Sequence, residues 1–310
     1  MITRADVDEA AQRTAGLTRL TPVLQADPGV FAGDVWFKCE FLQHTGTFKA
    51  RGALNRLLAS KERGELKPDV GVVVASGGNA GLANAYAAAQ LGVPATVFVP
   101  AAAPAVKVRK LEAIGATVIQ GGAEYAVAYQ AAVAHARETG AVYCHAYDQP
   151  EIAAGAGTVG TELLEQIAGV DTVLVAVGGG GLMAGIAAAV EGHAKVVGVE
   201  PGNAPTLHAA LAAGEPVDVA VSGVAADSLG ARRIGDIGFS VAVRTGVVSV
   251  LVSDADIVTA RSLLWNGYRV MVEHGAAAAY TALTAGAYEP KPGERVAVVL
   301  CGANTDPAVL

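Results

Sequence analysis

Residues 41–54 read FLQHTGTFKARGAL, and the lysine of this stretch, Lys49, stands between Phe48 and Ala50. A Thr-Gly-Thr turn comes before the lysine, and a helical pattern begins after it. Its neighbours are apolar or small, where a solvent-facing helix would carry charges. A lysine removed from water loses its proton more easily and becomes a nucleophile towards aldehydes. Taken alone, the stretch is at least as compatible with a lysine whose aliphatic chain is packed against the protein while its ammonium group stays in water.

Two glycine-rich segments elsewhere in the chain favour the reactive lysine. The first reads Ser76-Gly77-Gly78-Asn79-Ala80-Gly81, follows a predicted buried strand and opens a helix. Free N–H groups and the positive end of the helix dipole suit an anion such as a carboxylate there. Ser76 and Asn79 add polar groups. The alternative for this segment is a tight turn with a helix cap.

The second segment consists of Gly178, Gly179, Gly180 and Gly181, again between a predicted strand and a helix. Four glycines cost chain entropy without a gain in packing, which indicates a cradle of backbone amides for a phosphate. No Gly-Lys-Ser/Thr follows, so the segment is not a nucleotide P-loop. The chain also lacks a Gly-x-Gly-x-x-Gly motif after its first strand with an acidic residue further on to bind a ribose. A dinucleotide-binding site is therefore not indicated. A plain left-handed turn would need only one or two glycines.

Strands and helices alternate almost throughout the predicted structure. Strands are predicted over residues 35–38, 71–75, 95–99, 117–120, 141–144, 172–177, 195–199 and 295–300, and helices over 50–59, 79–91, 105–114, 123–138, 151–168, 182–190, 254–271 and 276–287. Continuous apolar strands between helices are typical of parallel sheets covered on both faces. Sites in such sheets lie at the carboxyl ends of strands. A third loop at the carboxyl end of a strand begins at Cys301. Taken alone, a cysteine at this position would indicate only packing in the core.

The composition excludes several classes of protein. With 310 residues, 52% of them hydrophobic and 16% charged, the chain can build a large core in one or two domains. The sequence contains no apolar run of about 18 residues, so no membrane span is predicted, and the N-terminus shows no signal segment. The net charge of −7 argues against a nucleic-acid partner. Three cysteines without metal spacing and six scattered histidines predict a reducing cytoplasm and no zinc site.

The lysine stretch, the carboxylate-type loop, the tetraglycine loop and the terminal Cys-Gly-x-Asn occur in this order. Together they resemble the pyridoxal-phosphate enzymes of the tryptophan-synthase-β fold (fold type II), and among these the serine/threonine dehydratases. The resemblance runs from Thr21 to Asn304. Residues 79–88, residues 91–96 and Cys301 look most like the serine dehydratase branch.

The resemblance implies an α/β fold with two doubly wound sheets. A large cofactor-binding domain, residues 1–45 and 146–310, would carry an inserted smaller domain on the substrate side, residues 46–145. Relatives with this fold are commonly dimers, so a homodimer is expected as well.

The resemblance also implies roles for individual residues. Lys49 would hold pyridoxal phosphate covalently and later take the α-proton of the substrate. The residues that would surround the cofactor are Phe48 and Ala225 on the two ring faces, Asn79 near the ring hydroxyl, Gly178, Gly179, Gly180, Gly181 and Leu182 at the phosphate, and Cys301 at the ring nitrogen. A neutral thiol cannot keep that nitrogen protonated as a carboxylate would, which favours quick β-elimination. The substrate carboxylate would be held by Ser76, Gly77, Asn79 and Ala80.

Two positions depart from related enzymes of this fold. Serine racemases carry a serine at the position of Gly77, so this chain lacks the second acid/base group of racemisation. Racemases also bind a divalent metal through an acid at the position of Thr206, and a hydroxyl is a poorer ligand for such an ion. Serine dehydratases instead bind a monovalent cation near Glu200 and the Ala204 carbonyl, which predicts K⁺ or Na⁺ there.

The resemblance therefore implies an ammonia-lyase that converts L-serine, L-threonine or both to pyruvate or 2-oxobutyrate and ammonia by β-elimination. A methyl group gives only about 1–3 kcal/mol of discrimination, so mixed specificity is expected. The alternatives are a serine racemase, a β-replacement synthase, and a dehydratase of 3-hydroxyaspartate or another β-substituted amino acid. A second substrate carboxylate would need a basic partner, and Arg51 is the nearest candidate in sequence. The last alternative, a protein that binds the cofactor without turnover, is disfavoured by the intact Lys49.

Overall fold

The computed structural model describes residues 1–122 and 125–306. Its helices are α1 (Arg4–Thr14), α2 (Lys49–Glu62), α3 (Asn79–Leu91), α4 (Ala105–Glu112), α5 (Tyr125–Thr139), α6 (Pro150–Gln166), α7 (Gly181–Ala189), α8 (Thr206–Ala213), α9 (Asp236–Thr245), α10 (Asp254–Tyr268) and α11 (His274–Thr284). Its strands are β1 (Val23–Gln25), β2 (Asp34–Lys38), β3 (Val72–Ala75), β4 (Ala95–Val99), β5 (Thr117–Gln120), β6 (Val142–Cys144), β7 (Thr172–Ala176), β8 (Lys195–Pro201), β9 (Val248–Val252) and β10 (Arg295–Val299). Within these residues, no helix has the length and apolar character needed to cross a membrane.

The larger sheet has six strands in the order β1-β2-β10-β7-β8-β9. Every neighbouring pair is parallel except β1 and β2, which form an antiparallel edge. The last strand in sequence, β10, lies inside the sheet, where Val298 pairs with Phe37 on one side and Leu174 on the other. All five residues of β7 are buried, which is the continuous apolar pattern expected of a strand covered on both faces.

The smaller sheet has four parallel strands in the order β5-β4-β3-β6. Helices α2 and α3 cover one face, where Leu54 and Leu57 are buried against the strands. Helix α5 covers the other face with Ala128 and Ala132. The architecture of two sheets with helices around them confirms the predicted fold class. The four strands lie within the predicted inserted domain and the other six outside it, while the exact domain boundaries stay a prediction.

The predicted elements differ from the structure mainly at their ends. The helix predicted over residues 123–138 runs from Tyr125 to Thr139, and residues 123–124 lie outside the described part of the chain. Helix α10 ends three residues earlier than predicted, because Arg269 takes a left-handed conformation with φ +56°. The sequence analysis did not predict α1, α8, α9, β1 or β9. The segment after residue 201 forms α8, in which Leu207 is fully buried.

A network of buried charges fixes α2, the helix that begins with Lys49. Arg51 is 1% exposed and forms two hydrogen bonds with Glu40, both 2.8 Å, and two with Glu162, 2.6 and 2.9 Å. Lys38 is fully buried and contacts Glu162 as well. Two positive and two negative side chains thus balance each other, as burial of charge requires. The hypothesis that Arg51 binds a second substrate carboxylate is wrong, because its guanidinium points into this network.

Candidate active site

A cavity of about 770 Å³ lies at the carboxyl ends of strands from both sheets. The loops that follow β3, β4, β6, β7 and β10 all line it, as expected for an α/β architecture. The sequence-predicted residues in its wall are Phe48, Lys49, Ser76, Gly77, Asn79, Ala80, Gly178, Gly179, Gly180, Gly181, Leu182 and Cys301. Glu200, Ala204 and Ala225 are not part of the wall.

Lys49 is the first residue of α2 and extends its amine into the cavity wall. Nζ donates a hydrogen bond to the carbonyl oxygen of Ala146 at 3.0 Å and lies 5.0 Å from the ring centroid of Phe48. Desolvation lowers the pKa of Lys49, and the nearby Cys301 and Glu273 oppose this shift only in part. An amine with a lowered pKa is more often unprotonated at neutral pH, which is the form that attacks a carbonyl carbon or accepts a proton.

The loop before Lys49 is attached to the last strand of the larger sheet. Thr47 forms an antiparallel bridge with Gly302, and the amide of Phe48 donates to the carbonyl of Cys301 at 3.1 Å. Thr47 has no exposed surface. These contacts hold Lys49 and Cys301 in the same wall although they are far apart in sequence.

The tetraglycine loop, residues 178–181, forms the wall where α7 begins. Gly180 has a left-handed conformation with φ +85°. A Cβ at Gly179 would lie 2.3 Å from the ring of Tyr147, so the close approach of that ring requires glycine there. The first turn of α7 leaves backbone N–H groups without partners in the helix, and these suit a phosphate. The donor set therefore fits the group for which the sequence predicted it.

The loop after β3 places polar groups beside the start of α3. The hydroxyl of Ser76 accepts from the amide of Gly78 at 3.3 Å, and Asn79 is the first residue of the helix. Gly77 lies close to strand β4, since a Cβ at Gly77 would come 3.2 Å from Cγ1 of Val99. The helix N-terminus with these polar groups can hold a carboxylate, and the binding of a substrate there stays a prediction.

Glu273 is an acidic side chain of the site that the sequence did not reveal. It is 6% exposed, lines the cavity and accepts hydrogen bonds from the side-chain amide of Asn79 at 2.9 and 3.2 Å. Asn304 donates to the other end of Asn79 at 2.8 Å, so the amide is held from both sides. Desolvation raises the pKa of Glu273. In sequence, Glu273 precedes α11 and looks like an ordinary helix-capping residue.

Cys301 and Ala225 occupy different kinds of positions. Cys301 lines the cavity, and desolvation together with the carboxyl of Glu273 raises its pKa, so it stays a neutral thiol. Ala225 packs in the core of the larger sheet, with its carbonyl accepting from Leu229 at 2.8 Å. The turn that begins there points the next residue, Ala226, into the cavity instead. Since Ala225 does not line the cavity, its position gives no support to the predicted contact with the cofactor ring, and Ala226 is the next small residue that does line it.

The two residues predicted to bind a cation lie behind the tetraglycine loop. Glu200 is fully buried, and its carboxylate accepts from the amides of Leu207 and His208 at 2.7 and 2.8 Å. The hydroxyl of Thr206 lies 3.1 Å from Oε1 of Glu200 and 2.5 Å from the carbonyl oxygen of Gly178. The described residues contain no group of three or more His, Cys, Asp or Glu side chains that could hold a metal ion.

The sequence and the fold are similar to known proteins over most of the chain. Residues 14–302 match the model of a protein family described as "Pyridoxal-phosphate dependent enzyme". The chain is 35% identical over 313 residues to the L-threonine ammonia-lyase of Thermotoga maritima, an alignment that covers 99% of this chain and 76% of that protein. It is 36% identical to the phenylserine dehydratase of Ralstonia pickettii, over 88% of this chain and 83% of that protein.

A solved structure shows the same likeness in three dimensions. The serine racemase from Dictyostelium discoideum superimposes with a TM-score of 0.91 at 30% sequence identity, covering 98% of this chain and 99% of that one. The similarity in structure thus extends over nearly the whole chain.

Proposed function

The chain belongs to the family of pyridoxal-phosphate-dependent enzymes, and on this basis we propose that it is an ammonia-lyase of small β-hydroxy-α-amino acids, with L-threonine and L-serine as substrates. The position of the Lys49 amine carries the proposal. It lies in a desolvated wall of the cavity that the tetraglycine loop, the loop after β3 and Cys301 also line. The ammonia-lyase and dehydratase named above support β-elimination as the reaction.

Some residues of the cavity would bind the cofactor, and others would act on the substrate. Lys49 would hold pyridoxal phosphate covalently, and the first turn of α7 would donate N–H groups to its phosphate. The bound cofactor supplies an electron sink for the pair released when the α C–H bond breaks. The Nζ atom of Lys49 would accept that α-proton. Phe48 and the small residue Ala226 would bound the ring on its two faces.

The other polar groups would orient the substrate and restrain side reactions. The α3 N-terminus, with Ser76 and Asn79, would bind the substrate carboxylate. Asn79 keeps its orientation because Glu273 and Asn304 hold both ends of its amide. The neutral thiol of Cys301 cannot hold a proton on the ring nitrogen as a carboxylate would, which favours rapid elimination.

Incubation with L-threonine or L-serine is expected to form 2-oxobutyrate or pyruvate together with an equal amount of ammonia. Parallel assays of keto acid and ammonia, with the visible spectrum of the cofactor recorded in the same samples, would measure this. A spectral change with serine that gives no keto acid would reject serine as substrate and direct attention to 3-hydroxyaspartate and β-replacement. A protein without any absorbance band of bound cofactor would reject the proposal as a whole.

Serine racemase is the second candidate, since the protein of known structure described above has that activity. Gly77 offers no side chain as a second acid/base group, and a Cβ there would already be crowded by Val99. We therefore place racemisation below elimination. For a dicarboxylic substrate, Lys107 in the cavity wall would be the basic partner of the second carboxylate, the role for which the sequence offered Arg51.

We also propose that Glu200 and the Ala204 carbonyl belong to a site for K⁺ or Na⁺. Glu200 is a buried carboxylate whose contacts are neutral donors, and the single hydroxyl proton of Thr206 faces two acceptors, Glu200 and Gly178. Replacing K⁺ and Na⁺ by tetramethylammonium, which is too large for such a site, is expected to lower keto-acid formation, and K⁺ should restore it. EDTA should have no effect, because the hydroxyl of Thr206 stands where an acid would be a better ligand for a divalent ion. Equal rates in all monovalent salts would contradict the cation site.

A homodimer and a cytoplasmic location complete the proposal. The three cysteines are buried and unpaired, as expected in a reducing compartment. Exposed apolar side chains such as Leu20 and Leu42 offer surface for a second copy. Sedimentation velocity would measure the assembly state.

A further inference from the structure

His145 follows β6 and lines the cavity, and it has none of the roles proposed above. Its Nδ1 atom accepts two backbone hydrogen bonds, from the amides of Tyr147 at 3.2 Å and Asp148 at 2.8 Å. A nitrogen that accepts from N–H groups carries no proton of its own. The proton of the neutral ring therefore lies on Nε2, which is a hydrogen-bond donor in a fixed orientation.

The surroundings keep this ring neutral. Desolvation lowers the pKa of His145, the charge of Lys49 lowers it further, and Asp148 opposes the shift only in part. The rings of Tyr143 and Tyr147 pack edge-on to the imidazole, with centroids 6.5 and 4.6 Å away. A neutral ring locked in one tautomer can donate from Nε2 but cannot act as an imidazolium acid.

The fold places His145 beside the groups that would handle the substrate. Strands β3 and β6 are parallel neighbours, and Val74 pairs with Cys144, so the loops that follow them run side by side. One of these loops carries the polar groups proposed for the substrate carboxylate. The residue after His145 is Ala146, whose carbonyl accepts from Nζ of Lys49. The imidazole thus lies in the same wall as the proposed base.

We propose that His145 donates a hydrogen bond from Nε2 to the β-hydroxyl of the substrate and stabilises the charge that develops on this oxygen as it leaves. The inference rests on the proposed function. The carboxylate already has the helix N-terminus and Ser76 as donors, whereas no group named so far is assigned to the hydroxyl before Lys49 has taken the α-proton. The hydroxyl of Tyr147, which lines the same cavity, donates to the carbonyl of Arg233 at 3.3 Å.

The bonds and protons of this step balance without a proton from His145. The Lys49 amine takes the α-proton, the C–H electron pair becomes the Cα–Cβ double bond, and the Cβ–O pair leaves on oxygen. The proton that Lys49 took then passes to this oxygen, so that water leaves and the amine is free again. His145 keeps its Nε2 proton throughout and acts as an electrostatic donor, as neutral imidazoles do in other enzymes.

The test compares two leaving groups that give the same product. L-Serine and β-chloro-L-alanine both yield pyruvate, but chloride departs without a hydrogen-bond donor. The variant His145→Asn keeps an oxygen near the Nδ1 position for the two backbone amides and removes the donor at Nε2. Its kcat/KM for L-serine is expected to fall about 10²-fold, the usual effect of removing one such donor, while that for β-chloro-L-alanine is unchanged. His145→Leu, which loses both functions, should show the same split if it folds.

Two further readouts separate this inference from the proposed function. Nitrogen-15 NMR of histidine-labelled protein should show one ring with its proton on Nε2 across the neutral pH range, absent from His145→Asn. Equal losses of kcat/KM for L-serine and β-chloro-L-alanine, or a proton on Nδ1, would overturn the role proposed for His145. Either result would leave the proposed ammonia-lyase activity unaffected. No pyruvate from either substrate with the wild-type protein would overturn the proposed function, and the role of His145 with it.

Discussion

Replacing Lys49 with alanine is expected to abolish the turnover of L-threonine and L-serine, with kcat/KM reduced by at least about 10³-fold. General-base catalysis alone contributes about 10²–10⁴-fold, and the covalent attachment of the cofactor is lost as well. Keto-acid formation at saturating substrate would measure the loss. The intact mass of the protein after borohydride reduction provides a second readout, since the wild type should retain the mass of the cofactor and Lys49→Ala should not.

Lys107 provides a matched control for this prediction, because it is a second lysine in the wall of the same cavity. It lies on α4, away from the bridge that anchors the Lys49 loop to β10. Lys107→Ala should keep the covalent cofactor and most of the activity on L-serine. If Lys107→Ala lost the reducible cofactor and Lys49→Ala kept it, the nucleophile would have been assigned to the wrong residue.

Replacing Arg51 with methionine should give the largest loss of stability, about 3–5 kcal/mol. Removing one partner of a buried ion network leaves the opposite charges without compensation. Glu40 is fully buried, and Glu162 would retain only Lys38. Urea unfolding followed by far-ultraviolet circular dichroism would measure the shift of the midpoint. Cofactor content should fall too, because Arg51 holds the helix that begins with Lys49.

Arg63 at the end of the same helix region is the control for burial. Its side chain is 42% exposed and pairs with Glu65 at 2.8 Å and Glu151 at 2.9 Å, whose side chains are 47% and 20% exposed. Exposed pairs contribute about 0–1 kcal/mol, so Arg63→Met should shift the midpoint little. Arg51→Met unfolding at the same urea concentration as Arg63→Met would show that the buried network does not stabilise the protein.

The sequence predicted the fold class and three segments of the cavity wall because local signals coincided there. Four successive glycines and a lysine among small residues are rare patterns with direct physical causes, and the structure places both segments in one cavity. Alternating apolar strands and helices sufficed for the parallel sheets. The helix ends were less well predicted, since the left-handed residue at Arg269 carries no glycine or proline signal.

The groups that the sequence missed have functions defined only by distant contacts. Glu273 acquires its role from Asn79, and His145 acquires its fixed tautomer from the turn behind it. Arg51 looked available for a ligand because its partners Glu40 and Glu162 lie in other elements. Periodicity and spacing describe one segment at a time, so they cannot reveal which charge faces which.

The interior position of β10 determines when the protein can become functional during its synthesis. Both neighbours of this strand, β2 and β7, leave the ribosome long before it does, so each keeps an unpaired edge while translation continues. The loop before Lys49 cannot form its contacts before this stage either, because its partners Cys301 and Gly302 directly follow β10. The nascent chain therefore has no complete vitamin B6 site until β10 and the residues that follow it have been synthesised, and pairing strands so distant in sequence favours slow maturation.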